Sequence, residues 1–195
     1  MTGATLSIPN THIRAVLDGY LERFPKEGDA AAPLIRALGG EPATSSPETP
    51  RVGHVTVGAV VLDPCWRVLM VRDAEREAWS LPGGPPTDAD TALHEAARAR
   101  LEEATGLTPE QDGSASDPLP LDLDVRPVPG TSDTEEPEGR HFTFLYLYRA
   151  TAATVPAGSG ALGAPAWRPH TDLPSARLAA KIAQVLATAR EAVRA

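Results

Sequence analysis

The stretch Trp79 to Leu107, WSLPGGPPTDADTALHEAARARLEEATGL, limits what this chain can fold into more than any other. WSL reads as a short strand that runs into Pro82-Gly83-Gly84. Paired glycines let a backbone turn tightly or pass close to another group. A helix follows. Leu93, Ala96, Ala97 and Leu101 recur at helical spacing on its inner side. Asp90 or Thr91 is placed to cap its start, and Gly106 to end it in a left-handed turn. A strand, a tight turn and an amphipathic helix in succession need a sheet to pack on.

The surroundings supply that sheet. HVTVGAVVLD (54–63) is β-branched and largely apolar, as a buried strand is. DPCW makes a turn and RVLMVR the returning strand. LDLDVRPV alternates like a half-buried strand, and HFTFLYLYRA is the most aromatic strand of the chain. The C-terminal stretch predicts a helix with Leu178, Ile182, Val185, Leu186, Ala189 and Val193 on one side. Before all of these come two predicted helices. One has Asn10 or Thr11 as its cap, Ile13, Val16, Leu17, Tyr20 and Leu21 at helical spacing, and Pro25 as its stop. The other is DAAAPLIRALGG. The Pro/Ser/Thr-rich stretch Glu41 to Pro50 reads as a linker. The expectation is an α/β fold, an α/β/α sandwich with a mixed sheet over 51–195. An N-terminal helical extension and linker would occupy 1–50 and serve as a packing element.

Composition excludes several functions. The chain has 195 residues, a formal net charge of −8 and no basic stripe interleaved with aromatics, so a nucleic-acid polymer is not its partner. A small nucleotide needs only a few local groups and stays open. Cys65 is the single cysteine, so no internal disulfide forms, and it is expected to pack as a small hydrophobe. The first residues lack a basic stretch followed by an apolar run, and no stretch approaches the ~20 apolar residues of a membrane span. A cytoplasmic protein without a membrane partner is the expectation.

From Gly84 to Leu107 the sequence resembles the box of the Nudix hydrolase family. HVTVGAVVLDPCWRVLMVR resembles the strands before that box, WSLPGG the approach to it, and RHFTFLYLYRA a strand after it. The likeness covers Arg51 to Ala195. The spacing from Gly84 to Gly106 is one residue longer than the common signature. Asp90 then stands at the first Glu of the signature, although a helix cap is the plainer reading of it. Leu101 and Glu103 match the aliphatic position and the first Glu of the final pair. Arg100 and Ala104 stand where the family has glutamates, and Ala99 where it has Arg. Positions i, i+3 and i+4 share a helix face. The face that holds divalent metal against a pyrophosphate in the family therefore presents Arg100, Glu103 and Ala104 here.

What the resemblance implies follows residue by residue. Glu103 is the surviving catalytic carboxylate and the principal metal ligand, with Glu102 as a second candidate ligand. Glu102 also lines up with Arg98 and Glu95 in what reads as a solvated ladder. Gly83, Gly84, Arg100 and Arg140 are candidate phosphate-binding residues. His141 can contact a phosphate or base, or simply edge a strand; His54 begins the first core strand, where the resembled subgroup often has a His, although a lone strand His is usually structural. Glu135, Glu136 or Glu138, in an acidic loop, could activate water, or that loop is merely solvated. Trp79 and Trp167 are expected in the core. The cofactor is Mg²⁺ or Mn²⁺ if the chain is active, and none otherwise. The expected function is hydrolysis of a nucleoside diphosphate linked to another moiety, weakened by the degenerate box. The alternative is a catalytically inactive domain that binds a nucleotide-like metabolite or a protein partner. A homodimer is an assembly the family allows.

Overall fold

The computed structural model describes residues 8–39, 55–73, 78–111, 118–128, 139–153 and 164–194. The element order is α1 (Asn10–Arg23), a 3₁₀ turn (Pro25–Glu27), α2 (Gly28–Leu38), β1 (Val55–Leu62), β2 (Val68–Asp73), β3 (Ala78–Ser80) and β4 (Gly83–Gly84). Then come α3 (Leu93–Thr105), β5 (Glu110–Gln111), β6 (Asp122–Val128), β7 (Gly139–Arg149), β8 (Pro165–Arg168), a 3₁₀ turn (His170–Asp172) and α4 (Ala176–Arg194).

β1 is the spine. Its length and β-branched residues suit a strand flanked on both edges. On one edge it pairs in parallel with β7, from Val55 opposite Phe142 to Leu62 opposite Arg149. Its other edge is shared. β2 takes the far end, with Leu62 opposite Val68, and β4 takes the middle, with Val57 opposite Gly84 and Gly58 opposite Gly83. β3 and β8 extend the sheet beyond β2, while β5 and β6 pair with β7. Apart from the β1–β7 pair these ladders are antiparallel, so the sheet is mixed.

Strand alternation splits the core into two layers. Val57, Ala59, Val61, Phe142, Phe144, Tyr146 and Tyr148 face α1, α2 and α3, against Leu17, Leu34, Leu93, Ala97 and Leu101. Val60, Leu62, Val68, Met70 and Leu145 face α4, against Leu178, Ile182 and Leu186. The chain is thus the expected α/β/α sandwich. The N-terminal helices pack in the same layer as α3; Ile13, Leu17, Tyr20, Ala31 and Leu34 are all essentially without solvent contact. The stretch 41–50 lies outside the described residues. No helix among the described residues is long and apolar enough to cross a membrane.

α1, α4 and the edge strand β6 meet at a buried charged cluster that sequence spacing did not announce. Lys181 Nζ donates to Asp122 Oδ1 at 2.7 Å and to the Tyr20 hydroxyl at 2.8 Å, and pairs with Glu27 at 2.7 Å. Arg177 pairs with Glu27 at 2.9 Å and Asp122 at 3.1 Å, and donates to the Leu123 carbonyl at 2.7 Å. The Tyr20 hydroxyl accepts the Leu123 amide and donates to Glu27. Burial, the hydrogen bond to Glu27 and the charge of Asp122 push the Tyr20 phenol well above its usual range. Burial alone would raise the Glu27 carboxyl. Hydrogen bonds from Lys181 and Tyr20 and the charges of Arg177 and Lys181 outweigh it and hold the group low.

Three local expectations are corrected. Neither Asn10 nor Thr11 caps α1; the Pro9 carbonyl accepts from the His12 and Ile13 amides instead. Neither Asp90 nor Thr91 caps α3. Asp90 is committed to the preceding turn, accepting the Thr87 amide at 2.6 Å and hydroxyl at 2.9 Å, and Thr91 donates to Glu95. Cys65 is exposed in the β1–β2 turn rather than packed as a small hydrophobe. The turn places Trp66 at φ 65 and seats its ring against Arg149, leaving Cys65 outside.

Candidate functional site: the box turn and helix α3

α3 is anchored before it is functional. Leu93, Ala96, Ala97 and Leu101 are fully buried, which fixes its rotation about its own axis. Its end is set by Gly106 at φ 69, whose amide returns to the Glu102 carbonyl at 2.7 Å. Thr105 adds a second stop, with its hydroxyl donating to the Leu101 carbonyl and accepting the Leu107 amide. At the other end the Leu93 amide goes to His12 Nε2 of α1 at 3.2 Å.

That rotation lays Arg100, one residue of the face of positions 100, 103 and 104, against the box turn. Ala104 is 3% exposed, and the side chains of Arg100 and Glu103 are 20% and 68% exposed. The face thus rolls from a buried methyl through a half-buried cation to an open carboxylate. Arg100 Nε lies 3.3 Å from Glu103 Oε2; it is shut off from water and lacks the alignment of a hydrogen bond.

The two glycines do different jobs. A Cβ on Gly83 would meet the Val57 carbonyl oxygen at 2.4 Å and Gly58 Cα at 2.9 Å, so its lack of a side chain is what lets β4 press against β1. A Cβ on Gly84 would find only the Arg100 stem, with Cδ at 3.6 Å and Cγ at 4.0 Å. Gly84 is therefore the glycine that borders the site, and the Arg100 stem runs alongside it.

The flank of α3 carries the second candidate ligand. Glu102 Oε1 is buried without a hydrogen-bond partner, 3.7 Å from Arg98 Nη1. The Arg98–Glu102 half of the expected ladder is formed. The structure brings Gly84, Arg100 and Glu103 together. Arg140 is exposed at the start of β7, opposite Pro127 of β6 and two strands from the box turn, and His141 stands opposite Arg126. Trp79 and Trp167 are partly buried against the core. His54, Glu135, Glu136 and Glu138 lie outside the described residues. Among the described residues no three His, Cys, Asp or Glu side chains converge on a metal-sized site.

A strand, a double-glycine turn and a helix on a mixed sheet between helical layers define a Nudix fold. A family profile described as the NUDIX domain matches residues 52–189. The chain belongs to that family. Among solved structures, a NUDIX-family hydrolase from Clostridium perfringens is similar at 15% identity and a TM-score of 0.50, over 68% of this chain and 97% of that one. An Ap4A hydrolase from C. elegans is similar at 16% identity and a TM-score of 0.50, over 70% and 99%. No curated protein matches in sequence.

Proposed function

We propose that this chain is a Nudix-type hydrolase of a nucleoside diphosphate linked to another moiety, and that its reduced carboxylate set makes it a slow one. The observation that carries this is the face of α3. In place of three carboxylates it presents Arg100, Glu103 and Ala104 beside the Gly84 turn. Nudix enzymes generally use a divalent metal. The donors here suit one weakly held ion: Glu103 is open to solvent, and Glu102 Oε1, ion-paired with Arg98 at 3.7 Å, accepts no hydrogen bond. Magnesium is commonly bound through one or two carboxylates together with substrate phosphates. Glu103 and Glu102 would hold Mg²⁺ or Mn²⁺, which when bound supplies Lewis-acid polarisation of the diphosphate.

The chain's own residues do the rest. The bare Gly84 backbone lets a phosphate approach the turn. Arg100 draws the anion toward α3, and Glu103 is the carboxylate on this face able to take a proton from water. A second reading keeps the pocket and drops the chemistry: the chain binds its ligand without cleaving it. The Arg100–Glu103 ion pair favours this, because it engages the only carboxylate of the face.

The test is formation of a nucleoside monophosphate and the phosphorylated second product, resolved by chromatography, from a panel of nucleoside diphosphates linked to other moieties with Mg²⁺ or Mn²⁺, beside Glu103→Gln. Slow, metal-dependent turnover that vanishes in the variant is expected. Turnover no higher than that of the variant on every substrate would retire the hydrolase reading in favour of the second.

A further inference from the structure

We infer that Arg100 is a built-in cation for the ligand's diphosphate, so that binding, as distinct from turnover, needs no divalent metal. This rests on the reading that the box pocket takes a diphosphate.

Positions 100, 103 and 104 carry formal charges of plus one, minus one and zero. Three carboxylates there would repel a diphosphate until a cation intervened. This face does not repel it, and its cation is covalently attached. Position comes next. The Arg100 stem lies along Gly84, within ordinary contact distance of where a Cβ would be, and α3 is locked in rotation by its buried residues. The guanidinium thus extends from a stem fixed beside the turn, with its Nε 3.3 Å from Glu103 Oε2. A planar guanidinium is a fork suited to two phosphate oxygens at once.

The ion pair that now holds Arg100 is with a carboxylate that is 68% exposed, and it lacks hydrogen-bond alignment. Arg100 Nε is shut off from water, but its partner carboxylate is open to solvent and the pair is unaligned, so an aligned phosphate oxygen can take the place of Glu103. The exchange also frees Glu103. Ala104 adds no competing charge to the face, and the nearest other pair on the helix, Arg98 with Glu102, lies on the flank.

The test is calorimetric titration with ADP and with inorganic pyrophosphate, in EDTA and in Mg²⁺. It uses the full chain and the variants Arg100→Gln, Arg100→Lys and Arg100→Glu, each checked for an unchanged melting curve. The expected result is binding of the unaltered chain in EDTA within about threefold of its affinity in Mg²⁺. Arg100→Gln should lose tenfold or more in EDTA, and Arg100→Lys should retain part of the affinity. Arg100→Glu should bind ADP only with metal, and should bind Mn²⁺ alone more tightly, read by electron paramagnetic resonance. Binding by the unaltered chain that requires Mg²⁺, or Arg100→Gln binding as well as the unaltered chain in EDTA, overturns the inference and leaves the diphosphate pocket standing. No binding of either probe under any condition overturns the pocket itself.

Discussion

His12 Nε2 accepts the Leu93 amide at 3.2 Å, so a side chain of α1 caps the helix that carries the box. An uncapped first-turn amide beside a packed core has a poor substitute partner. His12→Ala is expected to lower the unfolding free energy by about 1 kcal/mol. Urea melts would read this, and a variant with an unshifted midpoint would show that water replaces the imidazole at no cost.

The two box glycines should respond differently to the same change. Gly83→Ala drives a methyl into the Val57 carbonyl oxygen and Gly58 Cα, which are backbone and cannot rotate away. It is expected to cost about 1–3 kcal/mol. Gly84→Ala meets only the flexible Arg100 stem and is expected to stay within about 0.5 kcal/mol of the parent. Its effect should appear instead as weaker binding of ADP. Equal destabilisation by both would mean that the β1–β4 register is not as described.

Asp122 has no exposed side-chain surface and faces both Lys181 and Arg177. Removing one partner of a buried ion pair strands the other's charge. Asp122→Leu is expected to cost about 3 kcal/mol, the low end of that range, because Glu27 still faces both cations. A loss well under 1 kcal/mol in chemical denaturation would count against a tightly closed cluster.

The same cluster gives stability a dependence on pH at both ends. Glu27 is held low in the fold, so its contribution is present above its ordinary value of 4.5 and is lost as pH falls through the folded value. Tyr20 is held high, so its contribution is present below 10.0 and is lost as pH rises through the folded value. Glu27→Gln should flatten the acid limb of melting temperature against pH, and Tyr20→Phe the alkaline limb. Limbs that keep their slopes in these variants would assign the dependence to other groups.

What was legible in the sequence was local. Gly106 ending α3, the buried line Leu93–Ala97–Leu101 and the meeting of Arg100 with Glu103 follow from helical spacing alone. The cap of α3 was not legible, because its acceptor stands 81 positions earlier, and Asp90 finds closer work in its own turn. Nor were the separate roles of Gly83 and Gly84, which depend on the register of β4 against β1. The charged cluster did leave a trace. Lys181 falls on the stripe of Leu178, Ile182 and Val185, where a charge is out of place. Its partners come from α1, the turn after it and β6, and no spacing rule joins those.

That cluster also sets an order of assembly during synthesis. Tyr20 and Glu27 leave the ribosome long before Lys181 and Arg177, their hydrogen-bond partners across 161 and 150 positions respectively. Until the start of α4 emerges, Glu27 and Asp122 have neither cation to face, and α1 is held by its apolar face, His12 and the Tyr20–Leu123 hydrogen bond alone. α1 and α2, made before α4, therefore gain their last anchor only when α4 is made. A nascent chain halted before Arg177 should leave them open to protease, while a chain released beyond α4 should protect them.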